Sequence, residues 1–206
     1  MWHGLERIDV WLFYLINRSG KSPLFDHLMP VASNAELFLI PLAISWCVLV
    51  TRKGIRWKSV AVAMILVISL SEWISSGVLK PTFDRPRPYH AVSEVHCYDR
   101  MYETWRITPP LDVPIRGQSF SLPSSHATNM FAAATFLSYY FPKGLPFFYV
   151  MALLVGYSRV YLGVHFPLDV LVGAVVGALC AVFGIAITNR VILLFESRGD
   201  TKSQGS

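Results

Sequence analysis

Five apolar runs, at about 35–50, 59–79, 126–141, 147–162 and 168–188, constrain this chain more than anything else in it. Backbone inside a lipid layer has no water to satisfy its N–H and C=O groups, so each run is expected to cross as an α-helix. A hydrocarbon layer of ~30 Å takes about 20 helical residues, so the first, third and fourth runs should extend into their flanks. Of the 206 residues 53% are hydrophobic and only 15% charged, and the mean hydropathy is +0.45. That is too apolar for an ordinary soluble domain. The expected fold is all-α: an integral membrane helical bundle of about five transmembrane helices.

Ahead of the first run, Leu5, Ile8, Leu12, Leu15 and Ile16 recur at helical spacing while Glu6, Arg7 and Asp9 fall elsewhere. This predicts an amphipathic interfacial helix. Ser19, Gly20 and Pro23 break it, and a second short amphipathic stretch over 25–32 leads to Ser33 and Asn34, residues suited to capping the first span. Residues 1–34 are thus expected to lie on the membrane, 35–195 to form the embedded domain, and the polar 196–206 to be a disordered tail on the cytoplasmic side. The N-terminus lacks the basic, apolar, small-residue order of a cleaved signal. Cys47, Cys97 and Cys180 do not form the even set of loop cysteines that a disulfide framework needs.

Sidedness follows from the cations. With five crossings, Arg52, Lys53, Arg56, Lys58, Lys143 and the tail fall on one side, which basic short loops mark as cytoplasmic. The net charge of +5 is spread over such loops and leaves no basic stripe for a polyanion, so nucleic acid is not expected as a partner.

The opposite face collects three polar islands. They are Lys80-Pro-Thr-Phe-Asp-Arg-Pro-Arg87-Pro88, Pro123-Ser124-Ser125-His126, and Ser158-Arg159 through His165 to Asp169. Prolines keep the first island extended, so that Lys80 and Arg87 can face a common point. The second reads as a helix start, where free backbone N–H groups and the helix dipole favour an anion. In the third, Pro167 suits the first turn of the last span, and a carboxylate at Asp169 can hold one ring nitrogen of His165 and leave the other free to attack.

Each island alone has a plainer explanation: snorkelling cations, an ordinary cap, a satisfied interfacial histidine. Together, on one face of one membrane protein, they supply the parts of phosphoryl transfer: cations for the charge, a nucleophile and a proton shuttle. A zinc site built from His126, His165 and Asp169 is disfavoured by Lys80, Arg87 and Arg159 in the same place. Glu72, the one acidic residue well inside a predicted span, is read as a structural partner at least as readily as a functional group. The aromatic residues and histidines of the 89–122 loop fit a lid or an interfacial belt.

The islands resemble the signature of the type 2 phosphatidic acid phosphatase family: Lys, six residues, Arg-Pro; Pro-Ser-Gly-His; Ser-Arg, five residues, His, three residues, Asp. The sequence matches at Lys80, Arg87, Pro88, Pro123, Ser124, His126, Ser158, Arg159, His165 and Asp169, and departs at Ser125, where the pattern has Gly. The resemblance implies that His165 attacks phosphorus, Asp169 holds its tautomer, and His126 is the general acid and base. It implies that Lys80, Arg87, Arg159, Ser124 and Ser125 bind the phosphate, with no metal or other cofactor. The implied partner is a lipid phosphate within the bilayer of the plasma membrane, met at an outward-facing site.

Among the substrates that the resemblance brings, an outward site favours undecaprenyl diphosphate, ahead of lipid A (1-phosphate), phosphatidylglycerol phosphate and phosphatidic acid. A phosphotransferase using the same phosphohistidine, and an inactive membrane scaffold, are the readings from other classes. The related vanadium haloperoxidases are soluble and larger, and five spans argue against them.

Overall fold

A computed structural model describes residues 2–110 and 119–203 of the chain. α1 (Trp2–Tyr14) runs into a π-helical turn at Leu15–Ser19, and α2 (Pro23–Ala32), α3 (Ala35–Thr51) and α4 (Ile55–Glu72) follow. α4 continues without a break through a π-helical segment, Trp73–Leu79, into the single turn α5 (Lys80–Phe83); α6 (Pro88–Ala91) is another single turn. After a small hairpin come α7 (Ser125–Tyr140), a 3-10 turn at Pro142–Gly144, α8 (Leu145–Tyr161) and α9 (Pro167–Ser203).

Three helical stretches, Ile55–Phe83, Pro142–Tyr161 and Pro167–Ser197, are long and apolar enough to cross a membrane. α3 and α7, with 17 and 16 residues, are shorter than the roughly 20 that a full crossing takes. α9 is helical to Ser203, whereas the sequence predicts a disordered tail from 196. No proline stands near 196, and the helix continues through Ser197 and Gly199; residues 204–206 lie outside the described residues.

The sequence also predicts helices alone, but β1 (His96–Asp99) pairs antiparallel with β2 (Thr104–Ile107), His96 opposite Ile107 and Asp99 opposite Thr104. This hairpin occupies part of the predicted lid loop 89–122, of which 111–118 lies outside the described residues. It is tied down from far away in sequence. Buried Asn17, in the π turn after α1, donates to the carbonyls of His96 and Tyr161 at 2.8 Å each and accepts from the His96 N–H at 2.9 Å. Tyr98 N–H donates to the Leu162 carbonyl.

α7 is the central helix and packs on α9, α8 and α4. Its core with α4 and α9 sets small side chains, Ala61, Ala132 and Ala181, against the larger Met64, Val67 and Phe136. Outward, α9 shows Leu171, Val175, Leu179 and Val182, all more than half exposed in the bare protein. Such a face is stable only against lipid.

Helices in lipid gain little from hydrophobic burial against one another, so close backbone approach has to hold them. Gly173 and Gly177 provide it. A Cβ on Gly177 would sit 2.1 Å from the Thr128 carbonyl oxygen, and one on Gly173 would sit 2.7 Å from that of Ser124. Any side chain at either position would part α7, which carries Ser125 and His126, from α9, which carries Asp169 just after His165.

Candidate active site

The polar islands meet at one end of the bundle. Lys80, Arg87, Ser125, His126, Arg159 and His165 line a single cavity of about 930 Å³. From there the cavity runs along α7 and α8 past Ala133, Leu137, Met151 and Leu154 toward Phe147 and Phe148, at the far end of α8. A charged head and a long apolar groove thus share one space.

Lys80 owes its position to the π-helical segment before it, where the wider turn re-aims the residues that follow. Its Nζ donates to Ser125 Oγ at 2.7 Å, and Ser75 and Ser76 bring their hydroxyls to 2.8 Å from the same oxygen. Ser125, where the signature has Gly, thus directs its hydroxyl at Lys80 and the π-helical segment while lining the cavity beside His126. Glu72 caps this chain from below: Ser76 and Asn129 each donate to one of its oxygens at 2.6 Å.

Ser124 is expected among the phosphate ligands, and the structure puts it elsewhere. It is fully buried, its hydroxyl caps α7 by accepting from Ala127 N–H, and its own N–H donates to the Asp169 carbonyl at 3.0 Å. Its bonds serve the α7 to α9 junction, and it does not line the cavity.

Arg159 is almost wholly buried at the end of α8, and its Nη1 donates to Ser33 Oγ in the turn after α2. Its Nε, the Nε of Arg87 and Nε2 of His126 are buried atoms with no hydrogen-bond partner in the protein. Leaving such atoms unpaired is costly; an anion in the cavity would accept from the two guanidinium N–H groups, and from His126 where Nε2 carries the ring proton.

His165 sits in the α8 to α9 turn, which Gly163 makes possible with a φ of +75°. Its Nδ1 is 2.8 Å from the carbonyl oxygen of Ser121. A carbonyl can only accept, so Nδ1 carries the proton and Nε2 presents its lone pair. Burial, reinforced by Arg159 and Arg87 and opposed by Asp169, pushes the pKa of His165 down to about 4. The ring is neutral at physiological pH.

The sequence predicts that Asp169 grips His165 directly, but its Oδ2 lies 3.7 Å from Nδ1, beyond a hydrogen bond. Asp169 works at one remove. Its Oδ2 accepts from Ser121 Oγ at 2.5 Å, holding the residue whose carbonyl orients His165, and from Phe166 N–H at 2.8 Å, which closes the first turn of α9. Ser121 is itself held by its N–H to the Arg85 carbonyl at 2.8 Å, beside the bridge between Pro86 and Phe120.

Two further residues were not legible as site residues. Arg85 forks its guanidinium, Nη1 to Asp169 Oδ1 and Nη2 to Asp9 Oδ2, at 2.6 Å each. It also lies 4.3 Å over the Phe166 ring. Asp9, on the buried side of α1, completes the link by accepting from Leu168 N–H at 2.8 Å. Arg85 stands between two signature positions and is the only hint that the sequence gives. Among the described residues no group of His, Cys, Asp and Glu is arranged to hold a metal ion.

Known proteins resemble this chain in sequence and in fold. A family model described as the PAP2 superfamily matches residues 57–192. The chain is 31% identical over 178 residues to the lipid A 4'-phosphatase of Bacteroides thetaiotaomicron, covering 84% of this chain and 73% of that protein. It is 29% identical over 177 residues to the putative undecaprenyl-diphosphatase YbjG of Escherichia coli, covering 84% and 79%. The crystal structure of Aquifex aeolicus LpxE superposes with a TM-score of 0.62 at 28% identity, over 86% of this chain and 94% of that one. With more than half its length inside the family match, and with the cations and histidines of the signature gathered around one cavity, the chain belongs to the PAP2 superfamily and is a membrane lipid phosphatase.

Proposed function

We propose that the protein hydrolyses the terminal phosphate of a membrane lipid phosphate or diphosphate through a phosphohistidine on His165. Nε2 attacks phosphorus in line, the P–N bond forms, and the P–O bond to the lipid breaks as His126 delivers a proton to the leaving oxygen. Water then attacks the phosphohistidine; His126 takes its proton, phosphate leaves, and His165 returns to the neutral ring. Lys80, Arg87 and Arg159 neutralise the equatorial oxygens throughout, the charge-balancing task that a metal performs in other phosphoryl-transfer sites.

The observation that carries this reading is the pairing at one cavity of a histidine with a free Nε2 and three buried, unpartnered donor or acceptor atoms on Arg87, Arg159 and His126. The groove leading away from it suits a lipid chain. We read α3, α4, α7, α8 and α9 as five crossings, with the basic α3 to α4 and α7 to α8 links inside and the site on the outer face of the plasma membrane. An outward site supports undecaprenyl diphosphate as first substrate, a reading to which the similarity to YbjG lends weight.

The test is phosphate release by detergent-purified protein from undecaprenyl diphosphate, phosphatidylglycerol phosphate, phosphatidic acid and lipid A, with chelator and beside His165→Ala. Chelator-resistant release that disappears in the variant is expected. Release that survives in His165→Ala would refute the phosphohistidine.

A further inference from the structure

We propose that Asp9 and Arg85 are positioning residues of the catalytic centre, a charge clamp by which the N-terminal helix sets the field and the geometry behind His165. Asp9 lies outside the stretch that the family model matches, which begins at residue 57. The inference rests on the phosphohistidine reading above.

The geometry is a closed loop of short contacts. Arg85 bridges Asp9 and Asp169 with one nitrogen each. Asp169 holds Ser121 and the Phe166 N–H, and Ser121 holds Nδ1 of His165 through its carbonyl. Asp9 returns the loop to α9 through Leu168 N–H. Arg85 faces Asp9 and Asp169, Asp169 faces His165, and Arg159 and Arg87 act on His165 from the cavity; no other described residue forms an ion pair with Asp9, Arg85 or Asp169.

Charge explains why two carboxylates are built around one guanidinium. When Nε2 bonds to phosphorus the ring keeps its Nδ1 proton and becomes a cation. Asp169 with Arg85 alone is a pair of zero net charge, and it favours that cation less than a site with one net negative charge would. Asp169 alone offers a negative charge, but in a buried place where it readily takes up a proton. With both carboxylates ionised, Asp9, Arg85 and Asp169 together carry one net negative charge spread over the fork; burial raises the pKa of Asp9, and its contacts with Arg85 and Leu168 N–H oppose that rise. A lysine cannot reproduce the two-pronged contact.

The test is a double-mutant cycle on the full-length protein in detergent, read as kcat, KM and the pH profile of phosphate release, with melting temperature as a folding control. Asp9→Asn neutralises the clamp and is expected to lower kcat about tenfold with KM within twofold. Arg85→Gln leaves two facing buried carboxylates that cannot both stay ionised, so kcat falls about a hundredfold and the acid limb of its pH profile moves up by about one unit. Combining both changes restores a single negative charge. The double variant is expected to exceed Arg85→Gln in kcat and to return the acid limb toward wild type, and Arg85→Lys to rescue less than half of the loss.

Additive losses with an unmoved acid limb would overturn the clamp and leave a merely structural contact. Wild-type kcat in both single variants, in an assay where His165→Ala is dead, would overturn it as well. An active His165→Ala would instead overturn the phosphohistidine.

Discussion

Gly177→Ala adds a single methyl group to a membrane helix, where alanine is ordinarily harmless, yet here it is expected to disable the enzyme. The added Cβ would lie 2.1 Å from the Thr128 carbonyl oxygen and 2.9 Å from the Ala132 nitrogen. Both are backbone atoms of α7 and cannot rotate aside. A relaxed carbon to oxygen contact is roughly 3.3 Å, so α7 and α9 have to part by about 1 Å at this level. The Ser124 N–H to Asp169 carbonyl bond, now 3.0 Å, would then stretch past hydrogen-bonding range, and His126 would shift against His165 by a similar amount. Overpacking of this kind costs about 1–3 kcal/mol. A misplacement of ~1 Å between reacting groups costs on the order of a hundredfold in rate. The assay is kcat for phosphate release together with the melting temperature in detergent, using Gly4→Ala as control because nothing lies within 4 Å of that added Cβ. Gly177→Ala with kcat within twofold of wild type and an unchanged melting temperature would show that the helix contact does not set the site.

The remaining predictions concern the site and its cap. His126→Ala should accumulate phosphoenzyme with an activated leaving group such as a nitrophenyl phosphate, because leaving-group protonation is then dispensable while water activation is not; acid-labile phosphate on the protein reads it out. His165 has a folded pKa of about 4 against 6.5 when unfolded. Between those values the unfolded chain binds the extra proton, so stability from this group is complete above pH 6.5 and is lost as pH falls toward 4. Melting temperature followed over that window should drop less steeply in His165→Gln. Asn17→Ala strands the N–H and C=O of His96 and the Tyr161 carbonyl, and should cost about 2–4 kcal/mol. Its mark should be faster proteolytic cleavage of the β1 to β2 hairpin, and equal cleavage rates in both proteins would count against the anchor.

What the sequence determined by itself is whatever depends on near neighbours in the chain. Apolar runs bounded by polar islands fixed helices and their ends; Ser124 and Pro167 marked the starts of α7 and α9; and the signature spacing of Lys80, Arg87, His126, Arg159 and His165 foretold which side chains share the cavity. A helix start or a lipid-length run is satisfied within a few turns, so its physics is written locally. Tertiary structure decided the rest. Ser125 lines the cavity as its place in the signature suggests, but the hydroxyl that stands where the pattern has Gly met Lys80 from another helix. Asp169 reads as the direct partner of His165, but packing put the Ser121 carbonyl between them in effect. The hairpin at His96–Ile107 formed because Asn17 and Leu162 offered its backbone partners from distant segments. Asp9 looked like the polar face of an interfacial helix, and only folding brought it to Arg85, 76 residues away. A buried charge needs a compensating charge close by, and which one it meets is settled by helix packing, where no local pattern of residues can record it.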